Sequence, residues 1–143
     1  MQVKIKQFDT SLPLPEYKTT GSAGMDLCAR VDTVIQPKTV GYIPLNIALE
    51  IPEGYWVMLA ARSSTHKMGL MPANGIGIGD ADYKGDNDEY KFPVYNFTDQ
   101  TVFVEKGQRI AKIIILPYEK VELNVVNSLE NHDRGGFGST GTH

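Results

Sequence analysis

Among 143 residues there are one cysteine, one tryptophan and three histidines. Each scarcity excludes something. The lone Cys28 cannot form an intrachain disulfide framework, and no Cys/His spacing fits a structural zinc site. No apolar run approaches the ~18 residues of a membrane span, and the N-terminus lacks a signal-peptide pattern. Positive charge is short as well: fourteen Lys and Arg face seventeen Asp and Glu, for a net charge of −3. That balance speaks against a nucleic-acid polymer or an anionic membrane as partner. Walker A, H-E-x-x-H and G-x-S-x-G patterns do not occur. The expectation is one domain in a reducing, cytoplasmic compartment. A domain of this length buries roughly 70% of the surface its unfolded chain exposes.

What is present is a series of short β-branched and aromatic runs: Val3–Phe8, Met25–Val31, Thr33–Gln36, Val40–Ile51, Tyr55–Arg62, Tyr90–Phe97, Thr101–Glu105, Arg109–Pro117 and Val121–Val126. Turn formers such as Pro37-Lys38, Pro52-Glu53-Gly54 and Lys106-Gly107 separate them. Many short strands at this spacing predict an all-β sandwich or barrel. Val3–Lys6 and Val102–Glu105 alternate and should be buried on one face, whereas Ile113–Leu116 reads as a fully buried strand. About two helical turns are expected at Ser64–Leu70, capped by Ser63 or Ser64 and ended near Gly69.

Glycine is unevenly spread: five of fourteen lie between Gly69 and Gly85, and four in the last nine residues. In Asn74-Gly75-Ile76-Gly77-Ile78-Gly79, glycine alternates with isoleucine, a pattern that marks close backbone approach to a ligand. The run leads into the acidic stretch Asp80–Glu89. As a calcium loop that stretch fails, because Lys84 and Lys91 fall where oxygen ligands belong. It is either a solvated turn or, with Asp80 and Tyr83, one side of a slot for a flat ring. The tail Arg134–Gly141 is either a frayed terminus or a flap whose glycine amides close on oxygen atoms; Arg134 and Phe137 favour the flap.

Two further clusters carry possible chemistry. Ala61-Arg62-Ser63-Ser64-Thr65 offers a guanidinium fork, hydroxyls and helix amides, which suit phosphate, although on these five residues alone an ordinary serine cap beside a surface arginine is the better reading. In Ala23–Ala29, Asp26 is a turn residue, or it reaches a metal or braces an arginine; Cys28 reads as a small core residue and His66 as a surface one.

In order, these segments resemble the five motifs of the trimeric, all-β dUTPases (dUTP diphosphatases): Ala23–Ala29, Ala61–Thr65, Asn74–Gly85, Gly107-Gln108-Arg109-Ile110-Ala111 and Asp133–Gly141. Tyr83-Lys84-Gly85-Asp86-Asn87-Asp88 and the shortened Asp133-Arg134-Gly135-Gly136 are similar to a subset from Gram-positive bacteria and their phages. The resemblance implies a jelly-roll-like sandwich of short antiparallel strands, residues 1–131, followed by a glycine-rich flap, residues 132–143. It also implies a homotrimer with an exchanged C-terminal segment and three active sites, each built from three chains.

The implied reaction is hydrolysis of dUTP to dUMP and pyrophosphate. On that resemblance Asn74 and the Gly77 backbone bind uracil, and Tyr83 packs under the deoxyribose. Asp80 is the base for water attacking the α-phosphorus. Arg62, Ser63, Ser64 and Lys112 hold phosphate oxygens, and Asp26 contacts Mg²⁺ through water. Arg134, Phe137, Gly138, Ser139 and Thr140 close the flap, with Phe137 stacked on the base. An upstream aromatic matched by Phe92 is the second candidate for that cover. Gly79 stands where many members have Ile or Val, which predicts a looser strand, and Lys112 stands where they have Gln. Two other functions come with the family. One is a nucleotide-gated partner of a repressor-type protein, for which the insert Asp86–Phe92 is the available feature. The other is a dCTP deaminase-like enzyme sharing the fold.

Overall fold

The computed structural model describes residues 1–139 and 141. Eleven strands and one 3₁₀ turn, Thr65–Met68, make up its regular structure. Four strands form one sheet in the order β2 (Met25–Cys28), β11 (Arg109–Pro117), β6 (Tyr55–Ala61), β8 (Gly77–Gly79). Three form a second in the order β4 (Val40–Pro44), β9 (Lys91–Asn96), β7 (Leu70–Pro72). Two pairs complete the set, β1 (Lys4–Gln7) with β5 (Ile47–Glu50) and β3 (Thr33–Ile35) with β10 (Val102–Val104). Every pairing is antiparallel, as the all-β expectation requires.

One core unites the sheets. Leu27, Val57, Leu59, Ile110 and Ile113 from the four-stranded sheet meet Ile35, Ile43, Ile47, Phe92, Val94 and Val104 from the others. Strand alternation decides which side chains enter it. In β6, Val57 and Leu59 are buried while Trp56, Met58 and Ala60 are half-buried on the opposite face.

Val3–Lys6 is not buried on one face: Val3 is half-buried and Ile5 is exposed. Four further local expectations are corrected. The run Val40–Ile51 breaks at Asn46, whose φ of 72° places it in the left-handed region that asparagine tolerates. Its side-chain oxygen accepts the Asp9 N–H (2.6 Å) and its amide donates to the Asp9 carbonyl (3.0 Å), so the corner is fully bonded. The expected helix contracts to a single 3₁₀ turn: Gly69, φ 85°, donates to the His66 carbonyl and Leu70 already begins β7. Ser64 stands at the cap position without a side-chain cap bond.

The third correction concerns Ile113–Leu116, of which only Ile113 is fully buried. Ile114 and Leu116 lie on the outer face of the sheet, beside Met58 and Trp56. Finally, Val121–Val126 is no strand. The alternation Val121-Glu122-Leu123-Asn124-Val125 is present, but no described segment of the chain pairs with it and its apolar side chains are exposed.

Candidate active site

Two groups of polar residues sit at different places on the four-stranded sheet. The first forms where β2, β11 and β6 lie side by side. Asp26 and Lys112 are direct partners across β2 and β11, and Lys112 is level with Ala60 of β6. Arg62 follows the end of β6, and its Nε lies 3.3 Å from Asp26 Oδ1. Arg109 Nη1 donates to Asp26 Oδ2, also at 3.3 Å. One largely buried carboxylate therefore holds two guanidinium groups. Thr65, buried, accepts the Arg62 backbone N–H at 3.0 Å and fixes the turn that carries Ser63 and Ser64. The result is a cationic corner with hydroxyls beside it, suited to phosphate oxygens.

The second group surrounds a pocket of about 360 Å³ lined by Asn74, Gly77, Asp80, Tyr83, Glu89 and Tyr90, among others. Gly75, φ 75°, turns the chain so that Ile76 N–H reaches the Asn74 carbonyl at 2.9 Å. β8 then runs along β6, with Gly77 opposite Leu59 and Gly79 opposite Val57. A Cβ on Gly77 would lie 3.0 Å from Leu59 Cβ, so the strand packs closely because it lacks side chains there. The Tyr83 N–H donates to the Asp80 carbonyl (3.1 Å), and the Tyr83 hydroxyl donates to the Glu89 carbonyl (2.9 Å). Asp80 itself is exposed and also borders a wider groove of about 940 Å³ that includes Trp56, Ile78 and Tyr118.

The expected looseness at Gly79 is corrected. Gly79 is buried, and the space its side chain would take is filled by Tyr90. Burial first, then Tyr83 and Asp80, pushes the Tyr90 phenol up to about 12, so it stays protonated at ordinary pH. Burial also raises the Cys28 thiol, in keeping with a core role.

The two groups of one chain are far apart. Asp80 falls beside Trp56 at one end of β6, and Arg62 follows the other end. Six residues of strand separate those levels, about 20 Å at roughly 3.3 Å per residue. Across the sheet, β8 and β2 are three strand spacings apart, about 14 Å.

Among the remaining expected residues, Phe92 is misplaced. It points inward from β9 at 1% exposure, packed in the core, and offers no face to a base. Arg134, Phe137, Gly138 and Ser139 extend into solvent, with backbone bonds only inside the tail, and Thr140 lies outside the described residues. Sequence reasoning missed Arg109, Glu89 and Tyr90 as neighbours of the site. Arg109 lay within the fourth motif; its pairing with Asp26 depends on the β2–β11 register.

The dUTPase family model matches residues 10–141. The chain belongs to the dUTPase family. It is 40% identical, over 99% of both chains, to the SPbeta prophage-derived deoxyuridine 5'-triphosphate nucleotidohydrolase YosS of Bacillus subtilis. Its fold matches the dUTPase of Streptococcus mutans at a TM-score of 0.76 and 28% identity, over 82% of this chain and 98% of that one. It also matches the dUTPase of Staphylococcus bacteriophage 80alpha with dUPNHPP at a TM-score of 0.85 and 25% identity, over 99% of each. Relative to the dUTPase motifs, the cationic corner collects the first, second and fourth, and the glycine-lined pocket is built from the third.

Proposed function

We propose that this dUTPase hydrolyses dUTP to dUMP and pyrophosphate in a homotrimer whose sites combine the pocket of one chain with the cationic corner of another. The distance between Asp80 and Arg62 carries the assembly. Both act on one triphosphate, and about 20 Å along β6 is more than a single triphosphate spans. The outer sheet face supports the same reading: Trp56, Met58, Ile114 and Leu116 are half-buried and Ile78 is exposed, an apolar surface that a second copy would cover further. The unpaired alternation at residues 121–125 supplies a segment to exchange between copies.

In the reaction, uracil enters the Asn74–Gly77 hairpin and the sugar rests on Tyr83. Asp80 accepts a proton as water oxygen bonds to the α-phosphorus and the bond to the α–β bridging oxygen breaks. Arg62, with Ser63, Ser64 and Lys112, stabilises the charge that develops on pyrophosphate. Residues 132–143 close as a flap, bringing Arg134 to the terminal phosphate and Phe137 over the base, with Gly138, Ser139 and Thr140 at the phosphates.

The donor set fits Mg²⁺ brought in on the triphosphate. No group of three metal-ligating side chains occurs among the described residues, and Asp26 Oδ1, buried and ion-paired with Arg62 Nε at 3.3 Å, accepts no hydrogen bond among the described residues. Magnesium keeps much of its water and binds mainly through phosphates, so Asp26 would serve by accepting a metal-bound water. When bound, the ion neutralises charge on the phosphate oxygens. A reduced cytoplasm suits the free Cys28; no described helix is long and apolar enough to cross a membrane. In the insert Asp86–Phe92, Glu89, Tyr90 and Phe92 are buried, which leaves Asp86, Asn87 and Lys91 as its exposed side chains for a protein partner.

The test is pyrophosphate release from dUTP, with dCTP as the control for deamination. Asp80→Asn is expected to lose about 10²- to 10⁴-fold in turnover while still binding a non-hydrolysable dUTP analogue. Near-normal turnover in Asp80→Asn removes Asp80 as the base.

A further inference from the structure

Gly79 and Tyr90 interlock. A Cβ added to Gly79 would stand 2.4 Å from Tyr90 Oη, 2.8 Å from Cε1 and 3.0 Å from Cζ. The tyrosine cannot retreat easily. Its N–H donates to the Ile47 carbonyl and its own carbonyl accepts the Leu45 N–H, both at 2.9 Å, which ties its backbone to β5 and the end of β4. Its ring is 5% exposed, and its hydroxyl has no hydrogen-bond partner among the described residues. A buried hydroxyl without a partner is costly. No hydrogen bond within the described chain therefore accounts for the position of this ring; contact does.

That contact leads to Tyr83. The two rings meet edge to face, with centroids 5.5 Å apart and planes at 84°. The Tyr83 hydroxyl is held by the carbonyl of Glu89, the residue preceding Tyr90. Both tyrosines line the pocket that also holds Asn74, Gly77 and Asp80. The position of the Tyr83 ring is thus set from behind by Tyr90, and Tyr90 fits there because residue 79 has no side chain.

We propose that the Gly79–Tyr90 interlock is a specificity device, in which Tyr90 is a positioning residue that holds Tyr83 against the sugar and so sets the preference for deoxyribose over ribose. This rests on the reading of the pocket as the dUTP site. Tyr90 touches the sugar platform and leaves the Asn74–Gly77 hairpin to read the base. Loss of the buttress should therefore relax sugar choice and spare base choice. A general loosening of the pocket would degrade both together.

The experiment compares kcat/KM for dUTP, UTP and dTTP in wild type, Tyr90→Leu, Tyr90→Phe and Gly79→Ala, with thermal unfolding as the check of folding. Wild-type dUTP hydrolysis is the control for the underlying reading; its absence overturns that reading before the interlock is tested. Given wild-type activity, Tyr90→Leu is expected to lower the dUTP/UTP ratio about tenfold or more and leave dUTP/dTTP within twofold of wild type. Tyr90→Phe keeps the ring and is expected to keep both ratios. Gly79→Ala drives Tyr90 towards Tyr83 and should raise KM for dUTP several-fold with little change in kcat. This second arm stands even if Tyr90→Leu does not fold. Parallel loss of both ratios in folded Tyr90→Leu, or equal loss in Tyr90→Phe, overturns the proposal. So does an unchanged KM in folded Gly79→Ala.

Discussion

Arg30 grips Glu89 at two points, with Nε 2.7 Å from Oε2 and Nη2 3.1 Å from Oε1, across 59 residues of sequence. Glu89 Oε2 also accepts the buried N–H of Asn46 at 2.9 Å. The carboxylate is 7% exposed and the arginine 32%, so the two partners are unequal. Removing Arg30 strands a buried negative charge, whereas removing Glu89 frees an arginine that can turn to water. Arg30→Met is therefore expected to cost about 3 kcal/mol and Glu89→Gln about half of that, since glutamine still accepts from Asn46. Urea unfolding of the two variants checks the order. A larger loss in Glu89→Gln contradicts it.

A second clamp makes a pH prediction. Lys106 Nζ lies 2.7 Å from Asp9 Oδ2, and Ser11 donates to Oδ1 from both its hydroxyl and its N–H. Lys106 first, then Ser11, holds the Asp9 carboxyl well below its ordinary 3.8. A carboxyl lowered in the folded state adds stability above its unfolded value, and that stability is lost as pH falls towards the folded value. Wild type should thus melt above Lys106→Met at pH 7, and the gap should shrink steadily below about pH 4. A gap that widens on acidification shows the sign to be wrong.

Asp26 joins Arg62 and Arg109 through opposite oxygens of one carboxylate. Asn keeps the shape but loses the charge that holds the two arginines. Asp26→Asn is expected to lower kcat/KM for dUTP about 10- to 100-fold, because misaligned phosphate ligands forfeit orientation. Affinity for dUMP should change less than twofold, since dUMP lacks the β- and γ-phosphates. Kinetics with dUTP and calorimetry with dUMP separate the two effects, and an equal loss on both ligands contradicts the corner's role.

Local pattern revealed some of this and long-range pairing hid the rest. The Gly/Ile alternation marked the pocket wall at Gly77 and Gly79, and the short apolar runs marked most strands. Nothing local announces that Asn46 turns a corner by bonding Asp9, or that Arg30 finds Glu89. The role of Gly79 depends on Tyr90, eleven positions on, and is invisible until the residue before β9 packs against β8. The resemblance offers Phe92 as a cover for the base, but the local period places its ring elsewhere. Lys91-Phe92-Pro93-Val94 alternates, and that alternation sends Phe92 inward.

The two phenylalanines offered as covers for the base now separate cleanly. Phe92 is buried in β9, level with Ile43 of β4, while Phe137 is fully exposed at a φ of 51° in a tail whose described backbone hydrogen bonds stay within it. Phe92→Ala should cost about 3 to 5 kcal/mol of stability through the cavity it leaves. Phe137→Ala should leave the melting temperature unchanged and weaken dUTP binding. Truncation after Asn131 removes Arg134 as well, and the core lies wholly outside that segment. The truncated protein is expected to melt and assemble as wild type does, with kcat/KM for dUTP lower by about 10²-fold or more, because closure excludes bulk water and completes the phosphate ligands. Unfolding and steady-state kinetics on the three variants decide it. Unchanged kinetics after truncation would remove the flap from the mechanism, and a stability loss in Phe137→Ala would mean that the tail packs on the body of the protein.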